Sequence, residues 1–188
     1  MNLVHGLVLT GGTSTRMGAD KATIAFEGMT LAARVARALA PIARPVLAVG
    51  HEAGSGLEAI EDPSQGPLVA LVAGADALAA RDATSAVLLV ACDLPFVTSR
   101  ALTEVAAALG DADAAVPVVG DREQPLAACY SPRAHDVARA LVEGGERSMR
   151  ALLEQLDVAR VAIADASDLI DVDTPGELEA ARHRAEHP

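Results

Sequence analysis

The chain has 188 residues, a length that suits one domain burying roughly 70% of its unfolded surface. Hydrophobic residues make up 51% but aromatics only 2%, so the core must be packed from Ala, Val and Leu rather than filled by rings. A formal net charge of −11 repels polyanions; it excludes nucleic acid as a partner and admits a nucleotide only where Arg, Lys and a divalent cation overcome the global field.

In chain order, Leu3-Val4 and Leu7-Val8-Leu9 read as a buried parallel strand that breaks into Thr10-Gly11-Gly12-Thr13-Ser14-Thr15-Arg16-Met17-Gly18 and ends in Asp20-Lys21. Residues 22 to 26 read as extended. Thr30 caps a helix to Leu39 with Leu31, Val35, Ala38 and Leu39 on one face. Pro41 and Pro45 end it, and strands are expected at 46–49 and 57–61. After Asp62-Pro63-Ser64-Gln65-Gly66-Pro67 comes a helix over 68–80. The strongest buried strand, SAVLLVAC at 85–92, then runs into Asp93-Leu94-Pro95. A helix over 99–109 follows, then strands at 114–119 and 125–130 around the turn 120–123. Helices at 134–143 and 147–156, a strand at 158–164 and a last helix opening on Thr174-Pro175-Gly176-Glu177, a capping box, complete the chain. Strands alternating with helices as far as Leu109 predict right-handed βαβ units and a mostly parallel sheet in an α/β fold. No linker or repeat divides residues 1–188, so a single domain is expected.

Cys92 and Cys129 lie far apart with no C-x-x-C, which reads as two buried, reduced thiols. The N-terminus lacks a signal-peptide pattern, and no apolar run approaches the roughly 20 residues that span a bilayer. A cytoplasmic protein without membrane contact is expected.

Ligands of open α/β sheets sit beyond the carboxyl ends of the strands, where three polar clusters fall. In the first, adjacent glycines at 11 and 12 permit close backbone approach. Successive N–H groups with the Ser and Thr hydroxyls can cradle an anion, and Arg16 and Lys21 add positive charge, a combination that suits a triphosphate. The spacing is neither that of a Walker A loop nor that of the dinucleotide fingerprint, and a plain Gly-rich turn stays open on the glycines alone. The second cluster is Asp62 with Gly66-Pro67, which reads either as a turn or as a ligand contact. The third is Asp93, whose carboxylate at the sheet mouth serves either as a turn or helix-cap residue or as a hard ligand for Mg²⁺. The histidines at 5, 51, 135, 183 and 187 show no metal spacing and are left out of the chemistry.

The stretch Leu9 to Lys21 closely resembles the signature of the molybdenum cofactor guanylyltransferases, L-A-G-G-x-S-x-R-M-G-x-D-K, with Thr10 where Ala is usual. That family lies within the wider sugar-nucleotide-type nucleotidyltransferases. The resemblance implies a Rossmann-like three-layer α/β/α sandwich of the nucleotide-diphospho-sugar transferase type, with nucleotide bound by the N-terminal half and acceptor by the C-terminal half. It implies transfer of GMP from GTP to the phosphate of molybdopterin with Mg²⁺. The backbone of Leu9, Thr10, Gly11, Gly12 and Thr13, with Ser14, would hold base and phosphates. Arg16 and Lys21 would neutralise the triphosphate and the pyrophosphate, and Asp93 would hold the metal. Asp62, Gly66 and Pro67 would lie near base and sugar, with Val69-Ala70 replacing the more usual Ala-Gly. Gln124-Pro125 and the Asp171-Val172-Asp173-Thr174-Pro175 stretch, which stands where the family has Asn-x-Asn-Thr-Pro, would line the acceptor side, with Asp173 a further candidate for the metal region. Gly11 favours guanine by giving a larger base room, since cytidylyl relatives carry Ala-Ala-Gly. A monomer with transient contacts to molybdenum enzymes or insertion proteins fits this picture. The alternatives are a cytidylyltransferase or other nucleotidyltransferase with a different phosphorylated acceptor, and a non-catalytic nucleotide-binding regulatory protein.

Overall fold

The computed structural model of the chain describes residues 4–11, 20–81 and 85–187. Its centre is a sheet built from β1 (Val4–Leu9), β4 (Ala43–Val49), β5 (Glu58–Ile60), β6 (Val87–Ala91), β7 (Ala114–Val119), β8 (Arg122–Glu123), β9 (Ala127–Tyr130) and β10 (Val158–Ala162). The strand order is β10-β7-β9-β6-β1-β4-β5, with β8 hanging on β7. Pairings among β6, β1, β4 and β5 are all parallel, as is β10 with β7; β9 runs antiparallel to both β6 and β7. The mostly parallel sheet expected from the alternation of elements is therefore present, with two reversed strands, β8 and β9, where the sequence pattern loses its regularity.

The period-2 side-chain alternation of the central strands makes the three layers. On one face Val8, Leu88 and Val90 pack against Val35 and Leu39 of α1 (Leu31–Leu39) and Leu102 and Val105 of α3 (Ser99–Ala107). On the other, Leu7, Val87 and Leu89 pack with α2 (Pro67–Ala79), α4 (Pro132–Glu143) and α5 (Met149–Leu153). Small residues let the layers approach. A Cβ built on Gly74 of α2 would stand 2.4 Å from Leu7 Cδ1, so the close helix–strand packing is reached at this glycine, one turn after the buried Ala70.

The chain's two phenylalanines lie outside both of these core clusters. Phe26, in the small hairpin of β2 (Ala25–Phe26) and β3 (Met29–Thr30), meets Phe96 edge-on with ring centroids 5.6 Å apart. Together with Leu31, Val172, Leu178 and Ala181 these rings form a satellite core that fastens α6 (Pro175–Glu186) onto the hairpin. Arg34 stacks over Phe26 and Arg184 over Phe96 at 4.9 and 5.3 Å, covering the rings with cations.

Local details depart from the sequence expectations for identifiable reasons. Residues 21–23 form a 3₁₀ turn rather than extended chain, because the Asp20 carboxylate accepts from the Ala22 backbone N–H and caps it. β4 begins before Pro45, which is tolerated because the pairing with β1 shifts register between Val4 and Gly6 and asks no ladder bond of the proline there. The helix expected over 147–156 shortens to α5, capped by Ser148. The capping box at Thr174 and Glu177 is present as expected. No helix among the described residues is long and apolar enough to cross a membrane.

Candidate functional site

Register sets the site. Leu9 pairs with Val49 on one side and Ala91 on the other, so β1, β4 and β6 end level and their next residues emerge together: Thr10-Gly11, Gly50-His51 and Cys92-Asp93. Beyond them opens a cleft of about 720 Å³, closed by the 3₁₀ turn, the loop into α2 and the segment before α6. Leu9, Thr10, Gly11, Lys21, Asp62, Gly66, Pro67, Asp93 and Asp173 all line it. Gly12, Thr13, Ser14 and Arg16 lie outside the described residues.

The strongest feature is a cation shared by two carboxylates. Lys21 Nζ lies 3.3 Å from Asp93 Oδ2 and also donates to Asp173 Oδ1, across separations of 72 and 152 residues. The lysine is held there by the capped turn. Asp93 is presented by β6, and Asp173 by the start of α6. Two backbone ties bring the last of these in: the Val172 N–H donates to Asp93 O at 3.0 Å, and Glu177 of the capping box accepts from the N–H groups of Asp173 and Thr174 at 2.8 Å each. Burial by itself would lower the Lys21 pKa, but the hydrogen bond to Asp173 and the charges of Asp93 and Asp173 outweigh it and hold the ammonium above its ordinary value. Burial raises the Asp93 carboxyl; Lys21 offsets this in part, and the charges of Asp173 and Asp171 add to the rise. Two hard carboxylate oxygen donors converging on one cation position are a donor set that suits Mg²⁺. Cys92 sits beside them on the cleft floor, its thiol pushed up to about 12 by burial and by Asp93, which leaves it an unreactive wall residue.

The end of β1 differs from the expected anion cradle. The backbone N–H groups of Thr10 and Gly11 both donate to Val49 O at 3.0 Å and are not free for phosphate. The Thr10 side chain is buried, with Oγ1 within 3.1 Å of Val49 O and 2.8 Å of His51 O while accepting from the His51 N–H at 3.0 Å. A residue in the position where Ala is usual thus bolts β1 to the loop after β4. Gly11 answers a different need from base room. A Cβ there would fall 2.0 Å from Asp62 Oδ2 and 2.8 Å from Asp62 Cβ, so the glycine admits the Asp62 carboxylate.

The acceptor-side candidates divide between the cleft and its surroundings. Gln124 and Pro125 do not line the cleft: the Gln124 N–H donates to Pro117 O at 2.8 Å, and Pro125 O accepts from the Tyr130 hydroxyl at 2.7 Å, fixing the entry into β9. Their neighbour Leu126 lines it instead. Asp171 is exposed and, among the described residues, acts on the site through its charge on Asp93. Asp20, His51 and Ser64 also line the cleft and were not singled out from the sequence. His51 Nε2 lies 2.5 Å from Asp20 Oδ2. The available signal was topological, since His51 follows a central parallel strand by two residues.

Known proteins share this architecture and sequence. The family described as "MobA-like NTP transferase domain" matches residues 6–161. The chain belongs to that nucleotidyltransferase family. The matched span contains Lys21, Asp62 and Asp93 and ends before Asp173. A Mycobacterium tuberculosis protein named "Probable molybdenum cofactor guanylyltransferase" is 34% identical, covering 93% of this chain and 91% of its own length. One of the same name from Bacillus cytotoxicus is 28% identical over 86% of this chain and 85% of its own. The solved structure of molybdopterin-guanine dinucleotide biosynthesis protein A from Archaeoglobus fulgidus superposes with a TM-score of 0.78 at 23% identity, covering 98% of this chain and 100% of that one. 2-C-methyl-D-erythritol 4-phosphate cytidylyltransferase from Thermus thermophilus superposes at 0.71 and 21% identity, covering 98% and 99%. At these identities the structures establish the shared three-layer α/β/α nucleotidyltransferase fold.

Proposed function

We propose that the protein transfers GMP from GTP to the terminal phosphate of molybdopterin, releasing pyrophosphate, in molybdenum cofactor biosynthesis. The observation that carries this is Lys21, Asp93 and Asp173 meeting at the mouth of a cleft large enough for a nucleotide. The names of the relatives at 28–34% identity support the guanine and molybdopterin assignment. An oxygen of the acceptor phosphate forms a bond to the α-phosphorus of GTP as the bond from that phosphorus to the β-bridging oxygen breaks, and that oxygen leaves with pyrophosphate. The nucleophile is already anionic, so the chain needs to supply position and charge rather than a base.

Lys21, with Arg16 of the signature, neutralises the triphosphate and the charge that builds on the leaving pyrophosphate. Asp62 and the turn at Gly66-Pro67 face the nucleoside half. Asp93 and Asp173 hold Mg²⁺, which when bound polarises the α-phosphate and shields its charge. The N-terminal half serves the nucleotide, and the C-terminal half, with Leu126 and the segment before α6, serves the acceptor. The protein works as a cytoplasmic monomer that hands its product to molybdenum enzymes or insertion proteins.

The test is pyrophosphate release with GTP, Mg²⁺ and molybdopterin. Wild type is expected to turn over, and Lys21→Ala and Asp93→Ala to lose at least about a hundred-fold, the usual scale for removing a transition-state charge partner. Full activity in either variant, or turnover with CTP in preference to GTP, refutes the assignment.

A further inference from the structure

His51 is bound to the residues on both sides of segment 12–19. Its backbone N–H and C=O are both engaged by Thr10 Oγ1, at 3.0 and 2.8 Å, and Thr10 is buried at the end of a central strand. The ring therefore starts from a fixed backbone. Its Nε2–H donates to Asp20 Oδ2 at 2.5 Å, since a carboxylate can only accept. The other oxygen of the same carboxylate accepts from the Ala22 N–H at 3.1 Å and so caps the turn that begins with Lys21. Among the described residues, the hydrogen bonds of Asp20 outside its own turn go to His51. The neighbouring Glu52 does not compete for the ring, because its carboxylate is turned into its own loop onto the N–H groups of Gly54 and Gly56.

We infer that His51 is a positioning residue for Lys21: it ties the carboxylate that caps the lysine's turn to the carboxyl edge of the sheet. This rests on the nucleotidyl-transfer reading above. Among the described residues, the hydrogen bond of the His51 ring goes to Asp20. It acts by fixing where the turn stands relative to the edge from which Asp93 projects, so that the ammonium meets the triphosphate without a search.

The test compares wild type with His51→Ala, His51→Gln, Asp20→Ala and the double alanine variant, using GTP with Mg²⁺ as the probe. Readouts are thermal stabilisation by the nucleotide and the KM and kcat for pyrophosphate release. His51→Ala is expected to raise the GTP dissociation constant and KM roughly five-fold, the scale of one hydrogen bond, with kcat changing less than KM. Gln places an amide N–H close to where Nε2–H stands and is expected to restore most of the loss. In the Asp20→Ala background the His51→Ala change is expected to add nothing, because the path it acts through is gone. His51 is half-exposed, so its variants keep the fold, and their melting temperature without nucleotide checks this. Wild-type affinity in His51→Ala, or an undiminished effect in the Asp20→Ala background, overturns the inference while leaving the transferase reading intact. A wild type that GTP with Mg²⁺ does not stabilise overturns both.

Discussion

If Asp93 and Asp173 hold a divalent ion as proposed, Lys21 must compete with it for the same two carboxylates, and this competition is measurable without any turnover. At 3.3 Å, one unit-charge pair is worth at most about 5 kcal/mol at an effective permittivity near 20. The Asp93 side chain is 23% exposed and that of Asp173 42%, so solvent screening cuts the figure, and a working value for displacing the ammonium is about 2 kcal/mol. Replacing Lys21 by Met removes the ammonium from both carboxylates and with it that barrier, so Mn²⁺ is expected to bind Lys21→Met about 30-fold tighter than wild type, both without nucleotide. The assay is an electron paramagnetic resonance titration of Mn²⁺, run near pH 8 because burial raises the Asp93 carboxyl. Asp93→Asn added to Lys21→Met should abolish the gain, and Lys21→Gln should reproduce it if Met disturbs packing. Equal Mn²⁺ affinity in wild type and both Lys21 variants would show that the ammonium does not guard the carboxylates and would sink the reasoning.

Two other expectations concern the packing around the cleft and the helical layer behind the sheet. Gly11→Ala should cost about 1–3 kcal/mol as overpacking against Asp62, and Asp62→Gly should relieve most of it in a double-mutant cycle read by thermal melts; a Gly11→Ala protein that melts like wild type refutes the close contact. His135 is mostly buried, its Nε2 has no partner among the described residues, and burial lowers its pKa from 6.5 to about 4. The unfolded chain therefore takes this proton first, so stability is full above pH 6.5 and falls as pH drops toward 4, by up to about 3 kcal/mol from this group alone. Urea unfolding of wild type against His135→Leu at pH 7 and 4.5 isolates the contribution, and parallel pH profiles for the two proteins would contradict it.

What the sequence made legible depends on how local its physical cause is. The apolar runs around Leu7 and Leu89 specify buried strands through their own residues, and Thr30, Thr174 and Glu177 specify helix starts within four positions, so these elements stand where they were expected. Asp93 could be named because a residue just past a parallel strand is placed at the ligand edge by the fold itself, and Lys21 because it closes the Gly-rich stretch from Leu9 with a positive charge. Asp173 is different. Its place beside Lys21 depends on Phe26, Phe96, Val172 and Leu178 packing into a satellite core, a contact between distant segments that no periodicity reports. That Gln124 and Pro125 stand off the cleft has a related cause, since the hydroxyl that bonds the Pro125 carbonyl belongs to Tyr130 in the core. His51 has no spacing partner at all, and only the level ends of β1 and β4 bring it against Thr10.

The acidity of the chain and its proposed anionic substrate are reconciled by where the charge sits. Among the described residues, the cleft is lined by Asp20, Asp62, Asp93 and Asp173 against one lysine, inside a molecule of net charge −11. A bare triphosphate would meet repulsion from the whole surface and then from these four groups. A triphosphate carrying its own Mg²⁺ meets less of both, and it brings the cation that can take over Asp93 and Asp173 as Lys21 moves onto phosphate. In this account each carboxylate that repels the free nucleotide also has an assigned partner. Asp93 and Asp173 have a cation, Asp20 has the cap of the lysine turn, and Asp62 has the space left by Gly11. Under the proposed function the site would select the metal complex over the free nucleotide by unfavourable charge as much as by favourable contact, which is how an acidic protein can bind an anion without becoming a general anion binder.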